Sequence, residues 1–229
     1  MTLGSIFQDM WNIFIEYYLG HGLLWTGIGY TLLMSAIAVI FGTIFGSLLA
    51  IGRMSRFGVL KGIITAFVEV MRGTPALLQL NIAYFIVPLI LTKLDPTPIF
   101  CVIIGLSLNS AAYVSEIVRS GINAVDKGQT EAARALGLTS RTAMTKIVLP
   151  QAVRNILPAL GNEFITIIKE TSLASTFFVG ELMTTYATIK GVTFNPLPTL
   201  MVVGVIYFTM TFTLSKGMGV LERRMKAGA

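Results

Sequence analysis

Several side chains carry charge or a strong polar group inside stretches that are otherwise apolar: Glu69, Arg72, Asn109, Tyr113, Glu116, Glu163, Lys169 and Glu170. Charge at such depth is costly and is by default a functional hypothesis. The set pairs no nucleophile with a base and gathers no metal cluster, so it does not offer covalent or metal-assisted chemistry. His21 is the single histidine and Cys101 the single cysteine. A metal site and an internal disulfide both lack partners, and Cys101 reads as a small buried hydrophobe. What the set offers is reversible recognition. Glu69 and Arg72 lie three apart, on one turn of a helix. Together they supply an acceptor for an ammonium and a two-pronged donor for a carboxylate, which is what a free amino acid presents. The same spacing suits a self-neutralising pair, and both readings stand at this point. Asn109, Tyr113 and Glu116 follow i, i+4, i+7, one stripe of a helix. Glu163 and Glu170 are also seven apart. Lys169 points about 100° away from Glu170 and either snorkels or serves a gate. Glu116, near the end of its apolar run, equally suits a loop-anchoring charge. Glu69, Glu116, Glu163 and Glu170 outnumber Arg72 and Lys169, a lean toward basic or neutral polar ligands over acidic ones.

The elements that position these residues follow from composition. The chain has 229 residues, 54% hydrophobic and only 12% charged, where a soluble domain carries about a quarter charged residues. Residues 22–52, 73–92, 96–115 and 191–215 contain no charge, and a bilayer core needs roughly 20 such residues per helix. The runs lack the alternation of barrel strands. The expectation is an all-α integral membrane protein with spans at about 23–51, 62–92, 97–118, 155–180 and 197–219. Glu69 and Arg72 interrupt the second span just before Gly73-Thr74-Pro75, which predicts a broken or kinked helix. Freed backbone groups at such a break are tolerated where they line a cavity. Basic residues cluster at Arg53, Arg56 and Lys61, at Arg119, Lys127, Arg134, Arg141, Lys146 and Arg154, and at Arg223, Arg224 and Lys226, leaving Lys93 and Lys190 for the opposite side. The positive-inside rule puts the N-terminus outside, the C-terminus in the cytoplasm, and residues 119–154 in a cytoplasmic loop. The net charge of +6 then reports basic loops, with no nucleic-acid partner implied. No basic residue precedes the first apolar run, so the N-terminus does not read as a cleaved signal peptide. One membrane domain over residues 1–229 is expected. Gly42 and Gly46 form a small-xxx-small pair of the kind that packs helices closely.

The charged loop carries its own signal. Thr130 to Leu136 is rich in strong helix formers and Gly137 stops it. Thr139 or Ser140 can cap a second helix ending near Pro150. Glu131 and Arg134, three apart, are placed to pair. Glu131-Ala132-Ala133, Gly137, Ile147, Leu149 and Pro150 match the signature EAA-x3-G-x9-I-x-LP at every fixed position. In this the chain resembles the membrane subunits of ABC importers. Arg72-Gly73-Thr74-Pro75, Ala112 to Arg119, Asn162-Glu163-Phe164 and Lys169 to Leu173 resemble the permeases for polar amino acids, the histidine/glutamine/arginine group.

The resemblance implies an ABC type I importer fold with five core transmembrane helices per subunit. It implies a dimer, with a second copy or a sibling permease, and alternating access in a bacterial plasma membrane. Glu131, Ala132, Ala133, Arg134, Gly137, Ile147, Leu149 and Pro150 would form coupling helices seated on a separate ABC ATPase, present in two copies. An extracytoplasmic solute-binding protein would deliver the amino acid. No cofactor is expected on this chain: ATP and Mg would sit on the ATPase, and the sequence has no Gly-Lys dipeptide from which to build a phosphate loop. An ion-coupled secondary amino-acid transporter is the alternative. That class shows repeated broken helices, and only one broken helix with no second copy is visible here.

Overall fold

The structure is a computed structural model that describes residues 3–227, with side chains through residue 225. Lys226 of the basic C-terminal cluster lies outside the described side chains. Helix α1 (Leu3–Ile13) continues into a π-helical stretch, Phe14–Gly20. Gly22, at φ +68°, redirects the chain into α2 (Leu23–Arg53). There follow α3 (Gly58–Gly73), α4 (Ala76–Ile90) and α5 (Pro98–Asn123). The charged loop holds α6 (Lys127–Ala135) and α7 (Ser140–Ala143). A π-helical turn, Met144–Val148, joins α7 to α8 (Leu149–Glu170), which tightens into a 3-10 turn, Thr171–Phe177. α9 (Leu182–Thr193) and α10 (Pro196–Ala227) complete the described residues, which contain no strand.

α2, α5 and α10 are long and apolar enough to cross a membrane, and α3 with α4 add a fourth if the bent pair is one span. Arg154, Glu163, Lys169 and Glu170 keep α8 out of that group. α5 is the centre of the bundle: 61% of its apolar window is buried, against 28% in α2 and in α10. Small residues explain how neighbours reach it. Gly42 of α2 faces Ser110, and Gly46 faces Ala111 and Val114, so the two helices run in the same sense at backbone contact. This is the close approach the glycine pair predicts. Gly105 of α5 admits Leu80 and Ala83 of α4, and Gly121 admits Ile156 of α8, both neighbours running antiparallel to α5.

The structure departs from the sequence expectations at three places. The helix breaks at Gly73-Thr74-Pro75, as expected, but α3 and α4 are bent by 114°, far beyond a kink within one span. Thr74 is extended (φ −116°, ψ 151°) and Pro75 has no N–H to carry the helix on. α3 ends level with the end of α2, because Arg53 and Arg72 reach the same carboxylate, that of Glu116. α3 thus lies across the end of the bundle, packed on α2 and α5, while α4 runs along α5. Second, no helix ends near Pro150, which occupies the first turn of α8, where its missing N–H costs little. Third, residues 181–196 between the last two expected spans are not an open loop but hold a helix. α9 folds back so that Leu182 and Thr185 meet Gly27 of α2.

Candidate functional site

Glu163 is the most buried of the acids singled out in the sequence, 7% exposed on α8. Ser110 of α5 donates its hydroxyl to Glu163 Oε1 at 3.0 Å. One helical heptad on, Glu170 Oε2 is buried without a hydrogen-bond partner. Lys169 beside it is exposed, so the adjacent charges point to different surroundings, as their 100° separation dictates. A buried carboxylate with spare acceptor capacity is suited to a cationic or N–H-bearing ligand.

The second feature is the helix break. Gln79, 6% exposed, stands where the backbone bonds of α3 give out. Its Nε2 donates to Met71 O (2.6 Å), Thr74 O (3.1 Å) and Thr74 Oγ1 (2.9 Å). Its Oε1 accepts from Asn109 Nδ2 at 2.9 Å. One side-chain amide thus serves the acceptors left by the break and ties them to α5. Asn109 is consequently turned toward α4, with its Oδ1 buried and unpaired.

The third is an ionic knot. Glu116 accepts from Arg53 Nη1 at 2.9 Å and from both Arg119 Nε and Nη2, and lies 3.7 Å from Arg72 Nη1. Arg72 also lies over the Tyr113 ring, 5.7 Å from its centroid. The expected stripe is therefore split: Asn109 belongs to the helix break, while Tyr113 and Glu116 share a cleft with Arg72. Glu69 does not face Arg72. It is exposed and forms no ion pair among the described residues. The stronger attraction is to Glu116, which three guanidiniums reach from three helices.

The charged loop is tightly built. Asp126 caps α6 through Gly128 N (2.6 Å). Gly137 adopts φ +84°, and the N–H groups of Gly137 and Leu138 return to the carbonyls of Arg134 and Ala133. This paired closure demands glycine at the left-handed position. Thr139 caps α7 through Thr142 N at 3.2 Å. Arg134 donates to Leu138 O and Ser140 Oγ, not to Glu131 as its spacing suggested. Ala133 and Val148 turn inward, while Glu131, Ala132, Leu149 and Pro150 are exposed, Ile147 is half-buried, and Leu136 is 83% exposed.

Sequence reasoning missed Gln79, Ser110 and Glu181. Glu181 is fully buried. It caps α9 through Met183 N and Thr184 N, and accepts from Tyr207 Oη at 3.1 Å. A glutamate is not a preferred N-cap and the segment read as an outer loop, so no local signal marked it.

Residues 42–227 match the family of binding-protein-dependent transport system inner membrane components. The chain belongs to this family. It is 40% identical over 202 residues to the arginine transport system permease protein ArtQ of Bacillus subtilis (strain 168), covering 88% of this chain and 91% of that one. Similarity to the putative glutamine transport permease GlnP of Rickettsia bellii is 40% over 195 residues, or 85% and 89% of the two chains. To the L-cystine permease TcyB of Bacillus subtilis it is 38% over 200 residues, or 87% and 85%. A crystal structure of an amino acid ABC transporter with histidines superposes with TM-score 0.86 at 38% identity, covering 92% of this chain and 98% of that one. The inward-facing MetNI methionine transporter shares the fold alone, at TM-score 0.74 and 20% identity over 89% and 96% of the chains. As a permease of this family, the chain is a transport subunit and not an enzyme.

Proposed function

We propose that this chain is the permease subunit of an ATP-driven importer for basic or neutral polar amino acids. The observation that carries the reading is Glu163, buried between α8 and α5 with Ser110 as its hydrogen-bond partner and no cation paired to it among the described residues. Glu163 and Glu170 accept the substrate's ammonium or basic side chain. Glu116 is already saturated by arginines and drops out of the charge balance, as does Arg72, its partner. Relatives named for arginine, glutamine and cystine support this class without selecting a member.

In this reading α2, α4, α5, α8 and α10 are the five crossings of one membrane domain, with the N-terminus outside and the C-terminus in the cytoplasm. α6 and α7 are coupling helices that dock on a separate ATPase, to which ATP and Mg belong. Exposed Leu136 on the charged loop supports a protein partner there. A second permease subunit and an external binding protein complete the assembly. ATP closure does work only by changing the relative affinity of two states, since equal binding to both shifts nothing.

The test is Glu163→Gln in the assembled complex, measured by equilibrium binding and uptake across a panel of amino acids. The substitution keeps the shape and the Ser110 contact but removes the charge. A preference for basic substrates should fall by about tenfold or more, the loss of one charge-assisted bond of about 1.5–3 kcal/mol. An unchanged selectivity profile would place recognition elsewhere.

A further inference from the structure

Where α2 ends, α3 turns into α4 and α5 nears its close, Arg53, Arg72 and Arg119 converge on the single carboxylate of Glu116. One carboxylate offsets one guanidinium, so two positive charges remain with no other acid in ion-pair range among the described residues. Arg72 and Arg119 keep 41% and 37% of their side chains exposed, and Arg53, at 13%, lies behind them. Arg72 and Glu116 line a cleft of about 400 Å³ together with Tyr113, Ser120 and Asn155, and Arg119 and Arg53 reach it through the Glu116 carboxylate. Apart from Glu116, its polar groups are all able to donate. α3, lying across the bundle end, exposes Ile63 (65%) and Val70 (60%), an oily face on the same helix as Arg72.

We propose that this cleft binds a phosphate-bearing anion, gripped by Arg72, with Arg119 and Arg53 adding their positive charge from the other side of the shared Glu116 carboxylate. Guanidinium forks match phosphate oxygens in pairs. The adjoining apolar face fits the acyl chains of an acidic lipid, and basic pockets at the cytoplasmic ends of membrane helices take such headgroups. The lipid source rests on the cytoplasmic placement given under the proposed function. Glu116 is then a resident competitor: it holds the guanidiniums together when the anion is absent and yields part of them when it binds.

The experiment uses the purified permease–ATPase complex in phosphatidylcholine nanodiscs with stepped fractions of phosphatidylglycerol. Native mass spectrometry counts retained lipids, and thermal unfolding reads stabilisation. Phosphatidylglycerol should be retained over phosphatidylcholine. Arg72→Gln and Arg119→Gln should each weaken retention by about fivefold, the factor for about 1 kcal/mol per arginine. Glu116→Gln should strengthen it, an outcome that a purely structural ion pair does not produce. This variant keeps the test decisive if an arginine variant fails to fold. Inorganic phosphate that displaces phosphatidylglycerol and itself stabilises the complex would support the site with free phosphate as its source. Stabilisation by the lipid alone assigns the headgroup. Equal retention of both lipids with phosphate silent, undiminished retention in folded arginine variants, or weaker retention in Glu116→Gln overturns the proposal. None of these readouts uses transport. Amino-acid-stimulated ATP hydrolysis in pure phosphatidylcholine reports the proposed function separately.

Discussion

Ser110 serves two contacts at once: its Cβ and hydroxyl fill the space that Gly42 leaves bare, and the same hydroxyl donates to Glu163. A Cβ at position 42 would stand 2.5 Å from Ser110 Oγ, so the helices must part or the serine must turn from the carboxylate. Gly42→Val should therefore lower the stability of the purified complex by about 1–3 kcal/mol in thermal unfolding. Gly29→Ala, where a Cβ meets nothing within 4 Å, should be neutral or slightly stabilising. Equal melting shifts in the two variants would mean that the α2–α5 contact is not close-packed. Gly42 was legible because a small-xxx-small pattern is local. Ser110 was not, because its role depends on an acid 53 positions later. Glu181 was hidden for the same reason, its partner Tyr207 arriving from the next helix.

At the scale of elements, the break between α3 and α4 was legible in Gly73-Thr74-Pro75, since a missing N–H and a preceding glycine end helices wherever they occur. The size of the bend was not, because it is held by Gln79 and by the pull of Glu116 on Arg72. Gln79→Leu should strand Asn109 Nδ2 and the carbonyls at the break, costing about 1–3 kcal/mol. Faster amide hydrogen exchange over residues 68–80 is the expected signature, and unchanged exchange there would rule out the amide as the brace. The charged loop was legible in outline from its caps. Its continuation through Pro150 was not, since proline reads alike as a helix stop and as a first-turn residue. Gly137→Asp puts a Cβ at φ +84°, at a cost of about 1–2 kcal/mol. It also sets a charge on the proposed docking surface. The spans should insert normally while amino-acid-stimulated ATP hydrolysis is lost. Hydrolysis at the parental rate would show that this turn does not transmit.

For the whole molecule, the apolar runs made the membrane class legible, while the path of the chain through the bundle needed tertiary contacts. α8, read in the sequence as part of a span at about 155–180 despite its charges, packs along α5 from Gly121 to Ser110. Cysteines placed at Ser140 and at Lys190, in a chain with Cys101 replaced, should react with a membrane-impermeant maleimide from opposite sides of the membrane. Labelling of both from one side of intact cells would end the five-crossing arrangement. The backbone is helical without interruption from Ser140 to Glu170, apart from the hydrogen bonds that Pro150 and Pro158 omit. Under the proposed function, a push on the loop has no slack in which to dissipate and would reach Glu163 as torsion and tilt of a shaft. Near the base of that shaft, the wider ring at Met144–Val148 holds one residue more per closure than an α-turn does. Tightening that ring to an α-turn would wind one end against the other by about 100°, which under the proposed function would turn Glu163 relative to the docked loop.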